Sequence, residues 1–237
     1  MSLTILIPTR NEQSIIGKTI ENITKSKIKD LNYEIIIVND FSKDNTSKIV
    51  KKIKKKNKRI KIYKNSKPGL GSAIKVGVKK SIKEYVCIYM ADQSDSVTDL
   101  IKYYKLIKKN KLDAVFGSRF INGSKVKGYP LKKLFFNRIF NNMCKIFFLN
   151  NYNDYTNAFK IYKKEILTSF FPIVSENFNV FLELPLKTVS RNFNFKIIPI
   201  SWTNRTKGKS KFIIKELTSK YFFTFFYCWL ERILLKK

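Results

Sequence analysis

The sequence predicts an α/β protein with a mostly parallel central sheet that is flanked by helices. Short β-branched or apolar runs predict strands, of which the first part of the chain has four: 3–9, 33–40, 59–64 and 85–91. The basic stretches between them have apolar residues at helical spacing and predict helices at 12–26, 44–57 and 71–83. Near-continuous apolar strands that alternate with helices are typical of a parallel sheet covered on both faces, with right-handed crossovers.

Length and composition indicate a folded chain with an extreme charge. The chain has 237 residues, of which 44% are hydrophobic, and this is enough to bury a sizeable core and to exclude global disorder. The 48 Lys and Arg residues outnumber the 17 Asp and Glu residues, and the net charge is +31. Such a charge favours polyanionic partners: nucleic acid, an anionic membrane or phosphorylated substrates. Because Lys, Ile, Asn and Phe are all abundant, a compositional bias of the source is the alternative explanation.

The cysteines and the first residues predict a cytoplasmic protein. Cys87, Cys144 and Cys228 are far apart, and the chain has no His, so the sequence contains no zinc-binding pattern. We expect these cysteines to be buried apolar residues in a reducing compartment. The first apolar run is too short for a signal peptide, and no run of 18 or more apolar residues could span a bilayer.

Polar residues collect where the predicted strands end. The segments "PTRNE", "NDFSKDNT", "KPGLGSA" and "ADQSD" each come at or shortly after the end of a strand. Ligands of parallel α/β sheets bind in the crevice at the carboxyl ends of the strands. The four segments therefore predict one binding site.

The second and third segments have chemistry that suits a nucleotide. Asp40, at the end of its strand, could accept a hydrogen bond from a base, although Asp40 and Asp44 could instead cap the next helix. Gly69 and Gly71 allow close backbone approach before a helix whose N-terminus favours an anion. The segment lacks the endings of a Walker loop and of a dinucleotide fingerprint, and a simple turn remains the alternative.

The fourth segment predicts a seat for a hard divalent cation. Asp92 and Asp95 are three residues apart in a turn, so both carboxylates could contact one Mg²⁺ or Mn²⁺ ion, with Gln93 as a neutral oxygen ligand. Asp99 more naturally belongs to the first turn of the following helix, where its charge suits the helix dipole. A solvated turn after the strand is the alternative for the whole cluster.

Basic groups in the second half of the chain could bind phosphate. Arg119 ends a fifth apolar run, "DAVFGSRF", so we expect its guanidinium to face the same crevice and to clamp a phosphate. The segment "NRTKGKSKF" at 204–212 is a cationic loop that could close over a pyrophosphate. A solvated run of charges would have the same sequence.

Two segments combine aromatic and cationic residues. Residues 130–148 have apolar side chains at helical spacing with Lys and Arg among them, which predicts an amphipathic cationic helix, in the core or at a membrane interface. Residues 221–229 are crowded with Phe, Tyr and Trp and are flanked by charges. This C-terminal stretch suits an interfacial anchor, or docking on a membrane protein or on a second copy of the chain.

Seven segments together resemble a known family, the family 2 glycosyltransferases with the GT-A (Rossmann-like) fold, and within it the dolichyl-phosphate mannose synthase-like branch. They occur in the family's order over about residues 3 to 212: "ILIPTRNE", "IIIVNDFSKDNT", "KPGLGSA", "YMADQSD", "VFGSRF", "DYTNAFK" and "RTKGKSK". The resemblance implies a catalytic domain over 1–212, with an aromatic and basic amphipathic helix over 213–237.

The resemblance, read with the residues above, assigns four sets of site residues. The nucleotide-sugar set is Pro8, Arg10, Glu12, Asp40, Gly71, Asp92, Arg205 and Lys211. The ligands of Mg²⁺ or Mn²⁺ are Asp92, Gln93 and Asp95, in a motif where Ala91 stands at a position at which the family often has Asp. The catalytic set is Asp92, Asp95 and Arg119. The acceptor phosphate would contact Arg119, Lys133 and Arg138.

The function implied is inverting transfer of a mannose- or glucose-type hexose from a GDP- or UDP-sugar to a dolichyl or undecaprenyl phosphate. The enzyme would lie on the cytoplasmic face of an anionic membrane. Alternatives are a saccharide hydroxyl acceptor, with Glu183 or Asp154 as the base, and a catalytically inactive relative. Nucleic-acid binding is disfavoured because the basic residues are dispersed and the strand-end carboxylates would repel phosphate.

Overall fold

The computed structural model describes residues 2–205 and 214–235. Its central sheet has seven strands: β1 Leu3–Thr9, β2 Tyr33–Asn39, β3 Ile60–Lys64, β4 Tyr85–Ile88, β5 Ala114–Ser118, β7 Lys160–Lys163 and β8 Phe195–Pro199. Their order across the sheet is β3-β2-β1-β4-β7-β5-β8. Two further short strands, β6 Lys125–Lys127 and β9 Ser201–Thr203, pair with each other in parallel.

Eight α-helices lie within the described residues: α1 Ile16–Lys25, α2 Thr46–Lys56, α3 Leu70–Lys80, α4 Val97–Lys109, α5 Leu131–Phe148, α6 Lys164–Ser169, α7 Val180–Ser190 and α8 Ile214–Leu235. A 3-10 turn, Lys27–Asp30, follows α1. The predicted α/β class with helices around a mostly parallel sheet is confirmed. The exception is β7, which runs antiparallel to both of its neighbours.

The strands form because their apolar runs are buried on both faces. All seven residues of β1 are buried, which explains why its sequence is almost continuously apolar rather than alternating. The four predicted strands and three predicted helices are all present, with ends that shift by a few residues. Helix α1 begins only at Ile16, because the preceding turn has Asn11 at φ 52° and is tied to the next loop by a hydrogen bond from the Gln13 N–H to Asp44 Oδ2.

Helices α7 and α8 complete the core on one face of the sheet. Tyr221, Phe225 and Cys228 of α8 are buried in the same apolar cluster as Leu6 and Phe116 of the sheet. The described part of α8 therefore packs as part of this core. The three cysteines are buried and free, as the sequence predicts.

Helix α3 approaches the sheet so closely that it needs a glycine. A Cβ atom added at Gly77 would lie 2.0 Å from Leu6 Cδ1, inside the core. We predict that Gly77→Ala lowers the free energy of unfolding by about 1–3 kcal/mol, because the core must be overpacked. Gly17→Ala is the matched control, since its Cβ would meet Ile49 Cγ2 at an ordinary 3.7 Å. Urea unfolding of both variants tests this; equal stability of the two would contradict it.

Candidate active site

One cavity of about 590 Å³ opens at the carboxyl ends of β1, β2 and β4. Pro8, Thr9 and Arg10 line it at the end of β1, Asp40 after β2, and Asp92 after β4. The cavity then continues along α5 to α8. The strand-end segments do converge on one site, as the sheet topology requires.

Asp40 is held rigidly at the edge of this cavity. Its Oδ1 accepts hydrogen bonds from the Gly69 N–H at 2.9 Å and from Asn65 Nδ2 at 2.8 Å, while Oδ2 lies 3.8 Å from Arg10 Nη1. Asp44 instead contacts the start of α2, where its Oδ1 accepts a hydrogen bond from the Thr46 N–H at 2.9 Å. Asp44 is thus bound to the start of α2, whereas Asp40 lines the cavity.

Gly71 lies outside the wall of the cavity. Its N–H donates to the Glu176 carbonyl at 2.8 Å, and a Cβ added to it would lie 2.0 Å from the Ser175 carbonyl oxygen. Gly69, with φ 133°, does line the cavity. The glycines thus let the start of α3 pack against another backbone segment, and the Gly71 N–H does not face a ligand.

Asp92 and Asp95 both line the cavity but have different surroundings. Asp92 accepts from Ser94 Oγ through Oδ1 at 2.7 Å and from Arg205 Nη2 through Oδ2 at 3.1 Å. The Asp95 side chain is buried, and its Oδ1 has no hydrogen-bond partner. Burial and the nearby charge of Asp92 raise the pKa of Asp95 to about 8.

Gln93 and Ala91 of the "ADQSD" segment do not line the cavity, whereas Ser94 does. Gln93 adopts φ 59°, is not part of the cavity wall, and has a buried Nε2 without a partner. The Ala91 side chain is buried in the core beside the sheet, and its carbonyl accepts from Thr19 Oγ1 at 2.6 Å. The presence of Ala at position 91, where the family often has Asp, therefore removes no ligand from the cavity.

Arg119 is the buried cation of the site. Its Nε and Nη2 donate to the two oxygens of Asp154 at 2.9 and 2.7 Å, and its guanidinium lies over the rings of Phe120, Tyr129 and Trp202. Burial disfavours the charged form, but Asp154 outweighs it and raises the pKa of Arg119 above its ordinary value. Asp154 is fully buried in this pair and is not available as a base.

Glu183 is also committed to structure. It is fully buried, it accepts the N–H groups of Val174 and Ser175 at 3.0 and 2.7 Å, and it pairs with Lys187 at 2.8 Å. Neither of the two candidate bases in the sequence is therefore placed to deprotonate an acceptor.

Arg205 lies between the carboxylates of Asp92 and Glu12, in the part of the cavity next to the strand ends. Its Nη2 lies 3.1 Å from Asp92 Oδ2 and 3.5 Å from Glu12 Oε1. Lys211, the other predicted cation of this loop, lies outside the described residues, as do its neighbours Lys207 and Lys209.

Helix α5 contributes one cation and an apolar wall. Lys133 lines the cavity, and burial followed by the nearby charge of Arg119 lowers its pKa below the ordinary value. Arg138 does not line the cavity: its Nη1 donates to the Asn153 carbonyl at 3.0 Å and its guanidinium stacks 4.3 Å from the Phe120 ring. The apolar wall consists of Phe136, Ile139, Phe140 and Met143 of α5 with Phe178, Phe181, Tyr221 and Phe222.

The match to a family model identifies the chain. The model described as "Glycosyl transferase family 2" matches residues 4–171, well over half of the chain. The chain belongs to glycosyl transferase family 2. The family resemblance seen in the sequence is thereby confirmed.

A curated relative of this family is similar over most of the chain. The dolichol-phosphate mannosyltransferase of Pyrococcus furiosus is 25% identical over 215 residues, which are 89% of this chain and 59% of that protein. The chain therefore spans little more than half of the relative's length.

Solved structures confirm the GT-A fold. Glucosyl-3-phosphoglycerate synthase from Mycobacterium tuberculosis, in complex with Mn²⁺, UDP and glucosyl-3-phosphoglycerate, superposes with a TM-score of 0.72 at 15% identity, over 96% of this chain and 79% of that one. S. aureus TarS in complex with UDP-GlcNAc superposes with a TM-score of 0.65 at 18% identity, over 98% of this chain and 66% of that one.

Sequence reasoning missed a buried lysine next to the site. Lys160 is 1% exposed, donates to the carbonyls of Tyr155 and Asn157, and interacts electrostatically with both Arg119 and Asp154. Burial lowers its pKa to about 7, against the pull of Asp154. The only signal was its place at the end of "DYTNAFK", a segment that the family resemblance already includes.

This lysine predicts a pH dependence of stability. Because the pKa of Lys160 is about 7 in the folded chain and near 10.5 when unfolded, the unfolded state binds more protons between these values. The wild type should therefore gain free energy of unfolding from pH 7 to pH 9, relative to Lys160→Met, by up to about 1.4 kcal/mol per pH unit. Urea unfolding at the two pH values measures this. A difference between the two proteins that does not change with pH would contradict the prediction.

Proposed function

We propose that this chain transfers a mannose- or glucose-type hexose, with inversion, from a nucleoside diphosphate sugar to a polyprenyl phosphate. One observation carries the proposal: a single cavity joins a carboxylate and guanidinium end, at the strand ends, to an apolar end formed by α5, α7 and α8. A donor with a diphosphate suits the first end, and a lipid with a phosphate head suits the passage to the second. The similarity to a dolichol-phosphate mannosyltransferase supports the same acceptor.

The polar end would hold the donor. Asp40, fixed by two donors to its Oδ1, would accept a hydrogen bond from the base of a GDP- or UDP-sugar, beside Pro8 and Arg10. Arg205, now paired with Asp92 and Glu12, would turn to the diphosphate as negative charge develops on the leaving nucleotide.

The residues present fit a divalent cation. Two carboxylates three residues apart in the chain, Asp92 and Asp95, line the cavity, and the Asp95 oxygen without a hydrogen-bond partner is a buried acceptor that a cation would satisfy. Two carboxylates completed by substrate phosphates are a usual seat for Mg²⁺, although the described residues hold no group of three acidic, His or Cys side chains arranged around one point. We propose Asp92 and Asp95 as ligands of Mg²⁺ or Mn²⁺, which would neutralise the diphosphate. Gln93, outside the cavity wall, is not proposed.

The acceptor end favours a lipid phosphate over a hydroxyl. A phosphate is already a nucleophile and needs only positioning and cations, whereas a hydroxyl needs a base. Lys133 and Arg119 supply cations at the cavity wall, while Asp154 and Glu183 are both bound to other groups. Arg138, which donates to Asn153, would act only through the surrounding structure.

The same helices would rest on a membrane. No helix of the described chain is long and apolar enough to cross a bilayer. Exposed apolar side chains nevertheless cover α5 and α8: Leu131, Phe135, Phe136, Ile139, Ile146, Phe147, Phe222, Phe223, Phe226, Leu230, Ile233, Leu234 and Leu235. With the net charge of +31, this surface suits the interface of a membrane that contains anionic lipids.

The transfer reaction is tested with labelled GDP- and UDP-hexoses, a short-chain polyprenyl phosphate and Mn²⁺. We expect the label to move to the organic phase, and we expect EDTA or Asp92→Asn to lower the rate by at least about 100-fold, because a ligand of the diphosphate-bound cation is lost. Asp92→Asn should also weaken Mn²⁺ binding in electron paramagnetic resonance titrations. The exposed Asp30→Asn is the control and should match the wild type.

Two outcomes would overturn the proposal in different ways. Transfer only to a hydroxyl acceptor would overturn the lipid acceptor and keep the donor chemistry. Absence of both transfer and nucleotide binding would overturn the function itself.

Membrane binding is tested by flotation with vesicles that contain phosphatidylglycerol. We predict that Phe223→Ser with Leu230→Ser loses binding by about tenfold or more, because each change removes apolar area from the interface. Ile82→Ser is the matched control, since Ile82 is 69% exposed but belongs to the loop between α3 and β4. The proposed membrane contact would be contradicted if both variants float equally well. It would also be contradicted if the wild type dimerises through α8 and does not bind vesicles.

A further inference from the structure

A loop that packs against the start of α3 supports the donor end of the cavity. We call residues 170–176, between α6 and α7, the strap. On one side, two buried side chains of α7 form hydrogen bonds with the backbone of the strap. On the other side, the start of α3 packs against the strap. None of these contacting groups takes part in the reaction proposed above.

The side of the strap toward α7 is fixed by charge. Glu183 accepts the N–H groups of Val174 and Ser175 with one oxygen each. Lys187 donates to the carbonyls of Phe170 and Pro172, both at 2.9 Å. Glu183 and Lys187 are 0% and 1% exposed, so water cannot replace these hydrogen bonds.

Helix α8 adds a neutral link to the same segment. Asn179 Nδ2 donates to Ser175 Oγ at 2.9 Å and to Thr224 Oγ1 at 2.8 Å. All three side chains are buried. The strap is thus held by α7 and α8 together.

The opposite side of the strap receives the glycines of α3. The Gly71 N–H donates to the Glu176 carbonyl, and a Cβ at Gly69 or Gly71 would lie 2.5 or 2.0 Å from a strap carbonyl oxygen. Lys75 Nζ also donates to the Ile173 carbonyl at 3.1 Å. Contacts this tight mean that a shift of the strap moves the Gly69 turn.

The Gly69 turn in turn fixes Asp40. The Gly69 N–H donates to Asp40 Oδ1, and Asn65 Nδ2 donates both to Asp40 Oδ1 and to the Gly69 carbonyl. From this chain of contacts we infer that Glu183 is a positioning residue for the donor nucleoside, acting through the strap and the Gly69 turn on Asp40. The inference rests on the proposed function, in which Asp40 contacts the base.

The test variant is Glu183→Gln. An amide has one acceptor oxygen, so it can receive only one of the two strap N–H groups, and its NH₂ group faces the other. We expect the Kd for UDP or GDP, measured by calorimetry, to rise about tenfold, the effect of one lost buried hydrogen bond. The KM for the donor sugar should rise in parallel, with kcat at saturating donor within about twofold of the wild type.

The matched control is Glu34→Gln. Glu34 is also a buried carboxylate that accepts a backbone N–H, from Ile82 at 3.0 Å, and pairs with a lysine, Lys61 at 2.7 Å. It lies at the start of β2, at the opposite end of the strand from Asp40. This variant should lose stability and keep the nucleotide affinity of the wild type.

A second variant keeps the inference testable if Glu183→Gln does not fold. Thr224→Val preserves shape but removes the hydroxyl that receives Asn179 Nδ2. We expect a smaller rise in Kd, of about threefold, with kcat unchanged.

The outcomes separate the inference from the proposed function. If the wild type binds neither UDP nor GDP, the donor site is wrong and the inference falls with it. If the wild type binds a nucleotide and the Glu183 and Thr224 variants bind it equally well, only the positioning role is overturned. A Glu34→Gln variant that weakens binding as much as Glu183→Gln would also overturn it, since general destabilisation would then explain both.

Discussion

The buried ion pair between Arg119 and Asp154 is the constraint on which the candidate site depends. A guanidinium that is only 8% exposed would be strongly unfavourable without a partner, and the two parallel hydrogen bonds to Asp154 compensate for the lost hydration. The pair joins the end of β5 to the segment after α5, and so connects the sheet to the helix that forms the apolar wall. Arg119 can keep its positive charge at this depth because the buried carboxylate of Asp154 stabilises it.

Burial also shifts the pKa values of two neighbouring side chains. Burial lowers the pKa of Lys160, which interacts with both members of the pair, to about 7, and burial together with the charge of Asp92 raises the pKa of Asp95 to about 8. Burial thus makes the charged forms of both side chains less favourable than they would be in water.

The sequence predicted the first four strands and the convergence of their ends because these features depend on local patterns: apolar runs, helical spacing, and polar residues at fixed places after strands. It did not predict that β7 runs antiparallel between β4 and β5, because its four residues, "KIYK", carry no signal of direction. It also assigned Gly71 and Arg138 to ligand contacts, whereas the structure gives both to backbone carbonyls. Gly71 and Arg138 are bound by carbonyls of the strap and of residue 153, which are distant in sequence. Local sequence patterns carry no information about such contacts.

The net charge of the cavity wall differs from the net charge of the whole chain. Among the described residues, the wall holds four carboxylates, Glu12, Asp40, Asp92 and Asp95, and five basic side chains, Arg10, Lys133, Arg119, Arg205 and Lys220. The formal charges of this described part of the wall nearly balance, although the whole chain carries +31. A nucleoside diphosphate would enter this balanced group with negative charge in excess, beside carboxylates that repel it. Electrostatics among the described wall residues would therefore favour the proposed donor if it arrives with a divalent cation, while most of the excess positive charge of the chain lies outside this wall.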